Sequence, residues 1–99
     1  MNRLAPEETD ITGKWVFTGD RVVGDENCER IHDLVQNHLI RLGSDQSGWD
    51  TLYRDPDDSR LWERIYPQSA LHGGGPPALR LISKDLARVK YGDAAYDHT

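Results

Sequence analysis

The stretch from Trp49 to Pro67 constrains this chain more than any other. Two runs with period-two character flank Asp55-Pro56-Asp57-Asp58-Ser59, a cluster of turn-forming residues. That arrangement predicts a β-hairpin. Successive side chains of a strand point to opposite faces, so Leu52, Leu61 and Ile65 share one face of it. Trp49, Tyr53, Trp62 and Tyr66 share the other, half of the chain's eight aromatic residues.

Rings gathered opposite the aliphatic positions admit two readings. One is a second layer of core, covered by loops or by the C-terminal segment. The other is a partner-binding face, since Trp, Tyr and Arg are the residue types enriched at interface centres. Asp50, Arg54, Asp55, Asp57, Asp58, Arg60, Glu63 and Arg64 lie among the rings, a mixture that suits a protein partner better than an oily ligand. On the second reading, the aliphatic face holds the fold together and Trp49, Tyr53 and Trp62 supply anchor area outside it. Asp50, Asp55, Asp57, Asp58 and Glu63 then offer carboxylates to basic groups, with Arg54, Arg60 and His72 beside them.

With 99 residues the chain has room for one core, and a single domain spanning 1–99 with ordered residues from about 10 to 91 is expected. A net charge of −5 argues against nucleic acid, whose phosphates need a basic footprint. It would steer a basic partner instead, and nucleases are commonly basic. The single cysteine, Cys28, excludes an internal disulfide and a multi-cysteine zinc site. It reads as a small apolar helix residue. The first residues carry no apolar run, and no stretch approaches the roughly twenty apolar residues of a membrane span. A cytoplasmic protein is the expectation.

In chain order, residues 1–9 read as a loose arm. Ile11–Thr18 and Arg21–Gly24 read as strands joined by the tight turn Gly19-Asp20. From Asp25 the period changes to that of a helix, with Cys28, Ile31, Leu34, Val35, Leu39 and Leu42 on one stripe. Asp25 serves as N-cap and Gly43 as the stop, giving a long helix over about 25–42. Gly43–Gly48 is a loop by composition, and the central hairpin follows. Ala78–Ile82 is a further strand, and Ser83 caps a short helix that Gly92 ends. The remainder reads as a frayed tail. The class is therefore α+β: a mainly antiparallel sheet of about five strands, the long helix on one face and a short C-terminal helix.

The residues offer no enzymatic constellation. His72-Gly73-Gly74-Gly75 has the look of an esterase oxyanion loop, but no Gly-x-Ser-x-Gly nucleophile elbow accompanies it. Neither phosphate-binding glycine motif is present. The Asp55–Ser59 segment lacks the alternation of a calcium loop. His32, His38, His72 and His98 have no ligand spacing, so neither a metal nor a cofactor is called for.

Gly13-Lys14-Trp15, Gly48-Trp49-Asp50-Thr51-Leu52-Tyr53-Arg54-Asp55-Pro56, Tyr66-Pro67-Gln68-Ser69 and His72-Gly73-Gly74-Gly75-Pro76-Pro77 together resemble immunity protein family 27 of bacterial polymorphic toxin systems. The similarity spans roughly residues 8 to 91. It implies a small cytoplasmic protein, without catalysis, that binds a cognate toxin domain and blocks it. Two rival readings stay open. One is a small ligand-binding or enzymatic domain built on His72 and its glycine loop; the other is an accessory scaffold subunit.

Overall fold

A computed structural model of the chain describes residues 3–67 and 75–95. Its elements are β1 (Asp10–Thr12), β2 (Trp15–Thr18), β3 (Arg21–Gly24), α1 (Glu26–Asn37), β4 (Ile40–Ser44), β5 (Thr51–Arg54), β6 (Leu61–Ile65), β7 (Ala78–Ile82) and α2 (Lys84–Tyr91), closed by a 3-10 turn over Gly92–Ala95. Five strands form one sheet in the order β1-β7-β6-β5-β4, antiparallel at every pairing. Strands β2 and β3 make a separate two-stranded ribbon. The α+β class read from the sequence is the class observed.

The expected hairpin is β5–β6, with Tyr53 opposite Trp62 and Leu52 opposite Glu63. Its two faces carry the side chains that alternation assigns to them. What covers each face is the reverse of the expectation. Tyr53 and Trp62 join Ile31 and Leu34 of α1, together with Leu4, Ile11, Leu39 and Leu79, in one buried cluster. Leu52 and Leu61 pack with Ile82 against Ala87 and Tyr91 of α2 and Ala95 of the closing turn. The long helix therefore lies on the rings, and the sheet is sandwiched between two helical layers. Rings offer more area per residue than leucines, and the larger helix covers the larger apolar surface.

Helix α1 begins where the sequence placed it. The Asp25 carboxylate accepts the Cys28 N–H at 3.0 Å, and Glu26 and Glu29 occupy the first turn. It stops five residues early. His38 leaves the helical region at φ −129°, and the N–H groups of His38 and Leu39 both close on the Leu34 carbonyl. Residues 40–44 then form β4 on the edge beside β5, with a bulge between Arg41 and Gly43. Gly43 is not a helix stop: a Cβ there would meet the Ala94 Cβ at 2.7 Å, so the glycine lets the closing turn pack onto this edge.

The expected strand from Ile11 to Thr18 is split at Gly13. Its N–H bonds the Pro77 carbonyl at 2.9 Å, and a Cβ would lie 2.5 Å from the Cys28 sulfur. The chain passes between the start of β7 and α1 there, then leaves the main sheet. Helix α2 follows the sequence reading: the Ser83 hydroxyl accepts the Leu86 N–H, and Gly92 ends it at φ 61°. Residues 93–95, expected to fray, instead form the closing turn that buries Ala95.

Residues 3–9 are likewise not loose. Leu4 is buried in the ring-side cluster. Arg30 of α1 grips both oxygens of Glu8 at 2.7 Å, and Arg60 donates to the carbonyls of Ala5, Pro6 and Glu8. The Arg30 fork, set against a smaller opposing effect of burial, holds the Glu8 carboxyl down at about 2.

Two measurements check this packing. Trp62→Ala should lower the unfolding free energy by about 3–5 kcal/mol in urea titrations, while Trp49→Ala should cost no more than about 0.5 kcal/mol because its ring is exposed. The Glu8 carboxyl titrates lower in the folded chain than unfolded, so its contribution is complete above pH 4.5 and disappears as pH falls toward 2. Glu8→Gln should therefore be less stable at neutral pH and lose less stability than the parent between those limits.

Candidate functional site

The structure divides the partner-facing residues expected from the sequence into three groups. Tyr53 (4 % exposed) and Trp62 (0 %) are interior, which corrects the expectation that they present outward anchors. Asp55 (0 %) and Glu63 (1 %) are interior as well, so neither carboxylate is presented on an outer face. Glu63 accepts from Arg80, from Lys90 Nζ at 2.8 Å and from the Tyr91 hydroxyl at 2.8 Å. Burial pushes its carboxyl up, but these donors outweigh burial and leave it below the ordinary value. Burial and the facing Glu63 charge push the Tyr91 phenol well up.

A second group is half-buried and committed to internal contacts. Asp50 accepts from Lys90 Nζ at 2.7 Å. Arg60 lies over the Trp62 ring at 5.0 Å, ion-paired to Asp58 at 2.6 Å and bonded to the N-terminal arm. Arg54, on β5 opposite Ile40, is partly covered.

The third group is exposed: Trp49, Asp57 and Asp58. Trp49 meets Tyr66 edge-on at 5.6 Å. These three do not make one surface, because strand β5 separates Trp49 from the turn that carries Asp57 and Asp58. His72 and its neighbours Gly73 and Gly74 lie outside the described residues.

Open apolar surface gathers elsewhere, on the β2–β3 ribbon. Trp15 opposes Gly24 and Phe17 opposes Val22, so Trp15, Phe17 and Val22 share one face. They are 40 %, 82 % and 53 % exposed. The ribbon is anchored by the Asp25 N–H on the Lys14 carbonyl at 2.9 Å and by the close approach of Gly24 to Cys28. Beside it, Val16, Gly24, Asp25, Glu26, Asn27 and Glu29 line a groove of about 500 Å³, three carboxylates among them. An apolar face next to an acidic groove is complementary to a protein surface bearing apolar and basic groups. The sequence does contain this signal: Trp15, Phe17 and Val22 alternate in a hairpin too short to have a core of its own.

A third grouping sits at the turn between β5 and β6. His38, the C-cap of α1, places Nε2 at 3.2 Å from Asp55 Oδ1 and 3.4 Å from Asp57 Oδ2. Asp55 Oδ1 also accepts the Asp57 N–H at 2.8 Å, while Asp55 Oδ2 is buried with no hydrogen-bond partner among the described residues. Sequence spacing does not reveal the cluster, because its members come from a helix end and a distant turn.

Among the described residues, no helix is long and apolar enough to cross a membrane. No curated protein and no solved structure matches the chain. The family model for immunity protein 27 matches residues 17–83, from within β2 to the N-cap of α2. That span takes in most of the ribbon, α1 and four of the five strands of the main sheet. The match extends over well more than half of the chain, which therefore belongs to the immunity protein 27 family.

Proposed function

We propose that this protein neutralises a cognate bacterial toxin domain by binding it, without catalysis of its own, and that the β2–β3 ribbon and the groove beside it form the contact surface. Family membership supports an immunity role in a toxin system. The observation that carries the choice of surface is the ribbon face itself: Phe17 is 82 % exposed and shares that face with Trp15 and Val22. Rings and branched aliphatics left in water on an anchored, hydrogen-bonded platform gain free energy when a partner covers them. The groove supplies Asp25, Glu26 and Glu29 to basic groups at its rim, and the net charge of −5 favours encounter with a basic toxin such as a nuclease. An interface of standard size, about 1,600 Å² in total, would cover the ribbon and the first turns of α1. A cytoplasmic location belongs to the same reading, because the toxin would be met where it acts.

Trp49 favours a second location at the far end of the central hairpin, since it too is an exposed ring, 57 % accessible. The two locations separate by mutation. With the toxin encoded beside the gene, the double variant Phe17→Asp, Val22→Asp should bind about a hundredfold more weakly or worse, and co-expressed cells should lose protection. Its thermal melting should stay close to that of the parent, since both side chains face solvent. Trp49→Ala and His72→Ala should protect nearly as well as the parent. Full protection by the ribbon variant with loss in Trp49→Ala would move the contact to the hairpin. Loss in His72→Ala alone would support a role for the glycine loop.

A further inference from the structure

We propose that His38, Asp55 and Asp57 form a binding site for one divalent transition-metal ion, of the kind that takes mixed nitrogen and oxygen ligands. The fold assembles the three groups. Helix α1 ends at His38 because Leu39 turns into the core, and that turn brings the imidazole over the loop between β5 and β6. One potential ligand atom from each of the three residues lies within 4.8 Å of the others.

The two separations from His38 Nε2 suit an ion held between the imidazole and the carboxylates. Metal–ligand bonds of about 2.0–2.2 Å place neighbouring ligand atoms roughly 3.3–3.6 Å apart in a tetrahedron and roughly 2.8–3.1 Å apart in an octahedron. The observed separations from His38 Nε2, 3.2 and 3.4 Å, fall across that range. A ligand set of one neutral imidazole and two carboxylates also balances a doubly charged ion.

The independent observation is the Asp55 carboxyl. It is fully buried and directed at His38 through Oδ1, yet its Oδ2 has no hydrogen-bond partner among the described residues. A buried carboxylate oxygen left without a donor is costly. Glu63, the other buried glutamate or aspartate of this hairpin, shows what a purely structural solution looks like, with Arg80, Lys90 and Tyr91 all donating to it. The nearby Arg3 is bonded to Asp57, at 2.9 Å to Oδ1 and 3.1 Å to Oδ2. An ion on Asp57 Oδ2 leaves Arg3 its closer bond to Oδ1. Asp57 is 44 % exposed in its side chain, so the site opens to solvent on that side and water can complete the coordination. Imidazole together with carboxylates selects zinc over calcium and magnesium, which prefer oxygen alone.

The test is calorimetric titration of the full chain, after chelator treatment, with zinc chloride and separately with magnesium chloride at pH 7.5. One zinc ion per chain should bind, with a rise in melting temperature, while magnesium should give no saturable heat. His38→Asn and Asp57→Asn should each weaken zinc at least about tenfold, and His32→Asn should leave the affinity unchanged. Asp57 faces solvent, so its variant keeps the fold, and an unshifted circular dichroism spectrum verifies this. Absence of saturable zinc binding overturns the proposal, as does binding that neither His38→Asn nor Asp57→Asn alters.

Discussion

The enclosure of Trp62 between the central sheet and α1 is the contact on which the arrangement of the other elements depends. Its ring is fully buried, paired across the strands with Tyr53, and reached by the apolar stripe of α1 through Ile31 and Leu34. A surface of that size cannot be left in water by a chain with so little core to spare. The helix must therefore cross the ring face, and the N-terminal arm is drawn in behind it, with Leu4 in the same cluster and Arg30 and Arg60 holding the arm's backbone and Glu8. The opposite face, with Leu52 and Leu61, is left to α2 and the closing turn.

The central hairpin spends its polar residues on this architecture. Glu63 ties β6 to β7 and α2, Asp50 takes Lys90, and Arg60 binds the arm while stacking on Trp62. A segment rich in rings and charges looks like an interface because interfaces and tightly packed small cores draw on the same residue types. Here the core has used them. Open apolar area falls instead to the ribbon, which belongs to neither helical layer, and to Leu86 and Val89 of α2. The two buried carboxylates of the hairpin differ in a telling way: Glu63 is fully engaged by donors, whereas Asp55 is left with an oxygen that the fold does not satisfy.

Several elements were legible because their determinants are local. Asp25 and Ser83 cap helices through their own side chains, Gly92 takes a positive φ, and β7 has the bounds that its apolar run suggests. The end of α1 was not legible. Leu39 and Leu42 fit the helical stripe, and only the demand of β5 for an edge partner makes residues 40–44 a strand. Gly43 carried the same ambiguity, since a helix stop and a close approach to Ala94 call for the same residue. The proposed metal-binding cluster was invisible for a different reason: seventeen positions separate His38 from Asp55, a spacing that no local motif encodes.

Alternation along β5 and β6 determined which side chains share a face, and it did so from the sequence alone, because the period of a strand is set by backbone geometry. Alternation does not say what covers a face. That was decided when the helices competed for the two sides of one sheet, the larger apolar surface taking the longer helix. The same competition buried Tyr53 and Trp62 and left Trp15, Phe17 and Val22 in water. Exposure is a property of the whole packed chain, whereas facing is a property of the strand.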